Sequence, residues 1–252
     1  MVTIKHLTKK FSGGGIVAVA DLSLAVAAGE IFACIGPNGS GKTTTVKMLA
    51  GLYAPTAGII HIGNIDLSQE PEKAKALIGY IPDEPYVYEK MSGREFLGYV
   101  AALYDLERKD AHEQSERFLS FFPGLEEVLD GFTENYSRGN KQKLAVVSAL
   151  MHRPKVLLVD EPMVGLDPQS ALTVKNLLKD FAANGGAVFL CTHTLPIAEE
   201  IAHRIGVLEK GKLVALGTLE ELRAKTNKKN ANLEEVYLEL TARHDNRQFS
   251  LH

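Results

Sequence analysis

Cysteine is scarce: 252 residues contain two, which excludes a disulfide-stapled scaffold. Cys34 and Cys191 sit inside the apolar runs IFACIG and AVFLCTH and read as core thiols of a reducing compartment. No apolar run approaches the roughly 18 residues that a membrane-spanning helix needs. The early lysines Lys5, Lys9 and Lys10 precede an apolar stretch, IVAVA, that Asp21 interrupts too soon for the core of a signal peptide. Charge of one sign is lacking too. The formal net charge is -3, so no bulk electrostatic attraction to nucleic acid is expected. No internal repeat is visible. These absences predict a cytoplasmic chain whose role at a membrane, if any, requires a partner.

The composition, 45% apolar and 23% charged, is that of an ordinary globular chain, with room for one large domain or one domain with a smaller insert. Short β-branched runs alternate with helical patterns, the signature of a mostly parallel sheet covered by helices. The predicted strands are VTIKHL, SLAVA, EIFACIG, AGIIHIG, IGYIP, KVLLVDE, AVFLCTH and RIGVLEKGKLVALG. The early runs, with a two-strand turn at EKGKLVA, suggest an antiparallel portion beside the parallel core. Between Asp83 and Tyr136 the pattern turns helical. Ser92 and Glu95 form a capping box, followed by a stripe of Phe96, Leu97, Val100, Leu103 and Tyr104. A Lys/Asn-rich segment, TNKKNAN, separates two short helices, TLEELRAK and NLEEVYLEL. The reading is a domain over 1–222, with a helical subdomain inserted at about 85–139, and a short helical C-terminal appendage over 223–252.

The most informative stretch is EIFACIGPNGSGKTTTVKMLAGL, an apolar strand, a glycine loop and a helix. The loop residues Gly36, Pro37, Asn38, Gly39, Ser40 and Gly41 can turn backbone N–H groups toward phosphate oxygens. The helix that follows adds its positive end, Lys42 neutralises the β and γ phosphates, and Thr43, beside Thr44, can ligate Mg²⁺. A glycine turn with an accidental lysine is the bland alternative, but four specified positions recur by chance in such a chain only about one time in a hundred.

Four further stretches gain meaning from this one. KVLLVDEP ends an apolar strand on Asp160 and Glu161, carboxylates that are costly there unless a cation meets them. Asp160 suits a phosphate-bound Mg²⁺ and Glu161 the general base for a water. CTHT puts His193 at the carboxyl edge of the same sheet, where the γ-phosphate would lie. Asp167 in MVGLDP reads alone as a turn or cap residue. In YSRGNKQKL, Ser137 can cap a helix carrying Leu144, Val147 and Leu150, and Gly139 permits close backbone approach.

In order, GPNGSGKT, IGYIPDE, YSRGN, VLLVDEP, GLDP and THTLPIAEE resemble the nucleotide-binding subunit of ATP-binding-cassette (ABC) transporters, from about Val2 to Leu222. The resemblance implies an α/β P-loop NTPase with a mixed, mainly parallel core sheet, an antiparallel β subdomain and an inserted helical subdomain. It further implies two cassettes sandwiching two ATP molecules head to tail, Ser137 and Gly139 of one completing the phosphate site of the other. By the same resemblance Phe11 stacks on adenine, Asp167 contacts the second subunit, His193 senses the γ-phosphate, and Asp83 serves Mg²⁺ and coupling to the membrane. The helical insert would face an integral-membrane permease, holding the chain on the inner face of the membrane.

Three positions depart from the common family pattern. Tyr136-Ser137-Arg138-Gly139-Asn140 replaces Leu-Ser-Gly-Gly-Gln, Asp83 stands where glutamine is usual, and Met163 replaces a small polar residue. YSRGN with the C-terminal NLEEVYLELT is more similar to bacterial exporter ATPases encoded apart from their permease than to importer subunits. The alternative is a soluble cassette ATPase of the iron-sulfur assembly type, which fits by length.

Overall fold

The computed structural model describes residues 1–11, 15–226, 228 and 230–249, with side chains described as far as 242. Asn227 and Lys229 of the Lys/Asn-rich segment, and 250–252 of the expected appendage, lie outside them. The first part of the chain forms β1 (Val2–Lys10), β2 (Val17–Val26), β3 (Ile31–Ile35), α1 (Lys42–Leu49), β4 (Ala57–Ile62), β5 (Ile65–Asp66), α2 (Pro71–Ala76) and β6 (Ile78–Ile81). Three helices follow, α3 (Gly93–Leu103), α4 (Arg108–Leu119) and α5 (Arg138–Met151). The remainder is β7 (Val156–Asp160), α6 (Pro168–Ala183), β8 (Ala187–Thr192), α7 (Leu195–Ile201), β9 (Arg204–Glu209), β10 (Lys212–Gly217), α8 (Leu219–Thr226) and α9 (Leu233–Phe249).

Every residue of β3, β7 and β8 is buried, the expected outcome for continuous apolar runs in a sheet covered on both faces. They belong to a six-stranded sheet of order β10-β9-β3-β8-β7-β6, parallel except where β10 meets β9. Register pairs Ile35 with Thr192 and Asp160 with Cys191, so the glycine loop, the acidic pair and His193 all leave from one carboxyl edge. A separate antiparallel sheet has the order β2-β1-β4-β5. The mixed α/β architecture is as expected, with one difference: the EKGKLVA hairpin extends the edge of the parallel sheet instead of joining the antiparallel one.

Two packed layers fix that edge. Phe32, Cys34 and Phe189 fill the space between the two sheets with Val46, Met48 and Leu49 of α1. The Phe32 and Phe189 rings lie 5.2 Å apart, and a fully buried phenylalanine contributes about 2–3 kcal/mol. On the other face, Leu144, Val147 and Leu150 of α5 pack with Phe96 and Leu97 of α3, Phe118 of α4 and Phe122 just beyond it. The capping box forms as predicted: Glu95 N–H donates to Ser92 Oγ at 3.2 Å and Ser92 N–H to Glu95 Oε2 at 2.8 Å. The apolar stripe of α3 is narrower than expected. Leu103 is 62% exposed, and Tyr104 stacks on His152 at 3.7 Å.

The start of α9 packs on the parallel sheet, where Leu233 and Val236 meet Ala33, Ile35 and Val207. Glu199 anchors it, accepting from Leu233 N–H at 2.9 Å and pairing with Arg223 at 3.4 Å. No helix among the described residues is long and apolar enough to cross a membrane.

Candidate functional site

The loop between β3 and α1 is shaped by glycine. Gly41 adopts φ 106°, and a Cβ there would stand 2.4 Å from the Ala18 carbonyl oxygen, so the β2 backbone seals the loop from behind. Lys42, at the first turn of α1, is buried and donates to the carbonyls of Gly36 at 2.7 Å and Pro37 at 3.1 Å. Its ammonium therefore sits inside the ring of loop carbonyls. Asn38, Gly39, Gly41, Lys42, Thr43 and Thr44 line a cavity of about 680 Å³ together with Phe11, Asp83, Arg138, Glu161 and His193. Phe11 is 37% exposed, its ring edge-on to Tyr53 at 5.7 Å with Lys9 Nζ 5.2 Å from its centroid. An aromatic ring with a cation beside it and a lysine-bearing glycine loop thus line the same cavity.

Asp160 ends β7 at 1% exposure, and its Oδ1 has no hydrogen-bond partner among the described residues. Burial holds its carboxyl above the ordinary carboxylate range, and Glu161 and Asp83 add to this; the Thr43 hydroxyl and Lys42 oppose it. An orphaned, desolvated carboxylate oxygen beside a threonine hydroxyl and a second aspartate is a hard oxygen-donor set that fits Mg²⁺. Among the described residues, no three His, Cys, Asp or Glu side chains converge to hold a metal alone. Phosphate oxygens would supply the remaining ligands.

Glu161 occupies the left-handed region at φ 46°, uncommon for a residue with a Cβ. Its Oε2 accepts from Thr192 Oγ1 at 2.9 Å, and its Oε1 accepts from His193 N–H at 2.7 Å and His193 Nδ1 at 2.6 Å. A carboxylate oxygen only accepts, so the bond places a proton on Nδ1 and leaves Nε2 free. Sequence reasoning missed Thr192, whose only signal was its place beside His193.

Ser137, Gly139 and Asp167 lie outside this cavity, at the N-termini of α5 and α6. Ser137 caps α5 as predicted, accepting from Asn140 N–H at 3.2 Å. Because that bond uses an oxygen lone pair, the hydroxyl proton stays available to an acceptor. A Cβ on Gly139 would come within 2.9 Å of the Gly165 carbonyl, so the close approach permitted there is to the turn ahead of α6. Asp167 caps α6, accepting from Ser170 N–H at 2.8 Å and Ser170 Oγ at 2.6 Å, with Lys143 Nζ at 3.2 Å. The Ser170 hydroxyl and amide, then Lys143, hold its carboxyl far below the usual range.

Two departures from the family pattern meet. The Arg138 guanidinium pairs with Asp83 Oδ1 at 3.2 Å, a partner that sequence gave no means of finding across 55 residues. Met163, the third departure, is half-buried against the helical cluster, an apolar anchor for the turn after Glu161.

A model of the family described as ABC transporter matches residues 19–164. The chain is 33% identical over 243 residues to a probable multidrug ABC transporter ATP-binding protein of Escherichia coli, covering 95% of this chain but 41% of that protein's length. It is 31% identical to the ABC-type transporter ATP-binding protein EcsA of Bacillus subtilis, covering 96% of each. A solved ATP-binding subunit of an ABC transporter superposes with a TM-score of 0.90 at 33% identity, covering 96% of this chain and 99% of that one. A dimeric cassette in a post-hydrolysis state with ADP and Pi superposes at 0.80 and 25% identity, covering 87% and 99%. With the phosphate loop, acidic pair and capped serine standing as described, the chain belongs to the ABC transporter family as an ATP-binding cassette ATPase.

Proposed function

We propose that this cassette hydrolyses ATP to power a separately encoded permease, in the export direction, working as a head-to-tail pair. The observation that carries the reading is the single cavity that joins Phe11, Lys42, Thr43, Asp83, Glu161 and His193. Adenine stacks on Phe11 while the triphosphate lies along the loop from Gly36 to Thr44. Lys42 exchanges a loop carbonyl for phosphate oxygen, neutralising charge that develops in the transition state. Glu161, aimed by Thr192 and His193, takes a proton from the attacking water. As that oxygen bonds to the γ-phosphorus, the bond to the bridging oxygen breaks and ADP leaves with phosphate. His193 Nε2 stands on the γ-phosphate side. Thr43, Asp160 and Asp83 would hold Mg²⁺, which when bound offsets charge on the β and γ phosphates.

Ser137 and Gly139 of a second cassette would close the cavity, bringing a hydroxyl and the positive end of the fourteen-residue α5 to the γ-phosphate. Asp167 would stand at the same seam. A dimeric arrangement among the solved relatives supports this. For the permease, support comes from exposed aromatic surface on the insert side: Tyr86 is 83% exposed, Phe132 51% and Tyr88 45%. Tyr86 also lines a groove of about 590 Å³ with Leu52, Tyr80, Pro82 and Asp83. Relatives named for multidrug transport and linearmycin resistance favour export. Affinity purification of the tagged chain from detergent-solubilised membranes tests the reading. An integral-membrane protein should be retained in fixed ratio; a soluble scaffold as sole partner would replace it with the assembly alternative.

A further inference from the structure

We propose that Arg138 is a positioning residue for the Mg²⁺ side of the ATP site, holding Asp83 back until the cation draws that carboxylate away. The inference rests on the ATPase reading above. Arg138 is the first residue of α5, directly after the Ser137 cap. Its guanidinium reaches Asp83 Oδ1 at 3.2 Å and lies 3.5 Å from the Asp83 carbonyl. Its stem covers Gly165, where a Cβ would meet Arg138 Cδ at 3.1 Å and Cγ at 3.2 Å. One turn later the buried Gln142 lies 3.4 Å from both the Pro82 and Pro162 carbonyls. The start of α5 is thereby tied to two loops, the one after β6 that carries Asp83 and the one after Glu161.

Asp83 has two demands on it. It lines the nucleotide cavity together with Arg138, and it lines the neighbouring groove with Thr43 and Asp160. Its negative charge helps hold the Asp160 carboxyl up, so the two carboxylates repel across the Mg²⁺ position. A cation there would reverse that repulsion and compete with the guanidinium for the same carboxylate. The pair is half-exposed, with side chains 51% and 47% accessible, weak enough to yield to a divalent ion. When it yields, the guanidinium beside Ser137 is released at the end of α5 that faces the second cassette. Cation binding in one site is in this way linked to the surface that completes the other.

The experiment titrates Mg²⁺ into the full chain with a non-hydrolysable ATP analogue and reads the Mg²⁺ concentration that half-maximally enhances analogue binding. Arg138→Gln should lower that midpoint roughly two- to five-fold, the range spanned by half-exposed ion pairs. Asp83→Asn should raise it, and adding Arg138→Gln to Asp83→Asn should change nothing further. Arg138→Lys, which keeps the charge, should stay near the parent value. An unshifted midpoint in Arg138→Gln, or the same shift with Asp83 already replaced, overturns the proposal while leaving the ATPase reading intact. If the parent chain fails to bind the analogue at all, the ATPase reading itself falls.

Discussion

Thr192→Val tests whether the buried threonine aims the Glu161 carboxylate proposed as general base. Valine keeps the shape of a side chain that is 1% exposed and deletes only its hydroxyl. Two bonds go: the one to Glu161 Oε2 at 2.9 Å and the one accepted from Thr194 N–H at 3.0 Å. A hydrogen bond to a charged group contributes about 1.5–3 kcal/mol, and orphaning the half-buried Thr194 N–H costs toward the low end of the about 1–3 kcal/mol of a buried amide. With partial relaxation, chemical denaturation should show a loss of about 2–4 kcal/mol. If the bond holds Glu161 in its reactive pose, kcat at saturating ATP should fall about ten- to a hundred-fold, at 1.4 kcal/mol per factor of ten. The Kd for an ATP analogue should stay within about two-fold, because Thr192 does not line the cavity proposed to hold it. Thr192→Ser, keeping the hydroxyl, should recover most of the rate. A valine variant that loses stability but turns over at the parental rate would refute the positioning role.

Gly41→Ala should cost about 3 kcal/mol and abolish nucleotide binding, since its Cβ meets backbone at φ 106° and left-handed strain comes on top of the clash; an unfolding curve and a binding titration check both. Asp160→Asn should raise the Tm of the nucleotide-free chain at neutral pH while abolishing the Mg²⁺-dependent gain in ATP affinity. The sign follows from burial. The folded carboxyl is held above its ordinary value, so its ionisation opposes folding once pH exceeds the folded value, and the penalty disappears below the unfolded value of about 4. The advantage of Asp160→Asn should therefore shrink as pH falls through the carboxylate range, and an advantage independent of pH would contradict the argument.

What the sequence made legible is what local pattern determines. The strands that carry the site are continuous apolar runs, and the glycine loop, acidic pair and capped serine stand where they were read. The misses have physical causes. The strand read as SLAVA begins earlier, since β2 runs from Val17 to Val26 straight through Asp21. The chain absorbs the charge at a bulge: Asp21 at φ 55° faces His6 at φ 52°, and their side chains bond at 2.7 Å. β5, at two residues, is too short for periodicity to register. The helix read as NLEEVYLEL continues to Phe249, because polar residues after it end the apolar pattern without ending the helix. The Arg138–Asp83 pair joins two exposed residues far apart in sequence, and neither hydropathy nor turn chemistry encodes such a contact.

The most direct measurement on the central claim is turnover and MgATP affinity of Glu161→Gln beside the parent chain. Glutamine keeps the size of the side chain and removes the proposed base. Loss of a positioned general base costs about 10²–10⁴ in rate. The expected result is a kcat lower by that factor, with MgATP bound at least as tightly and an ATP-dependent dimer accumulating in sizing experiments. Parental turnover in Glu161→Gln would contradict the account, because the carboxylate held by Thr192 and His193 would then have no part in the chemistry.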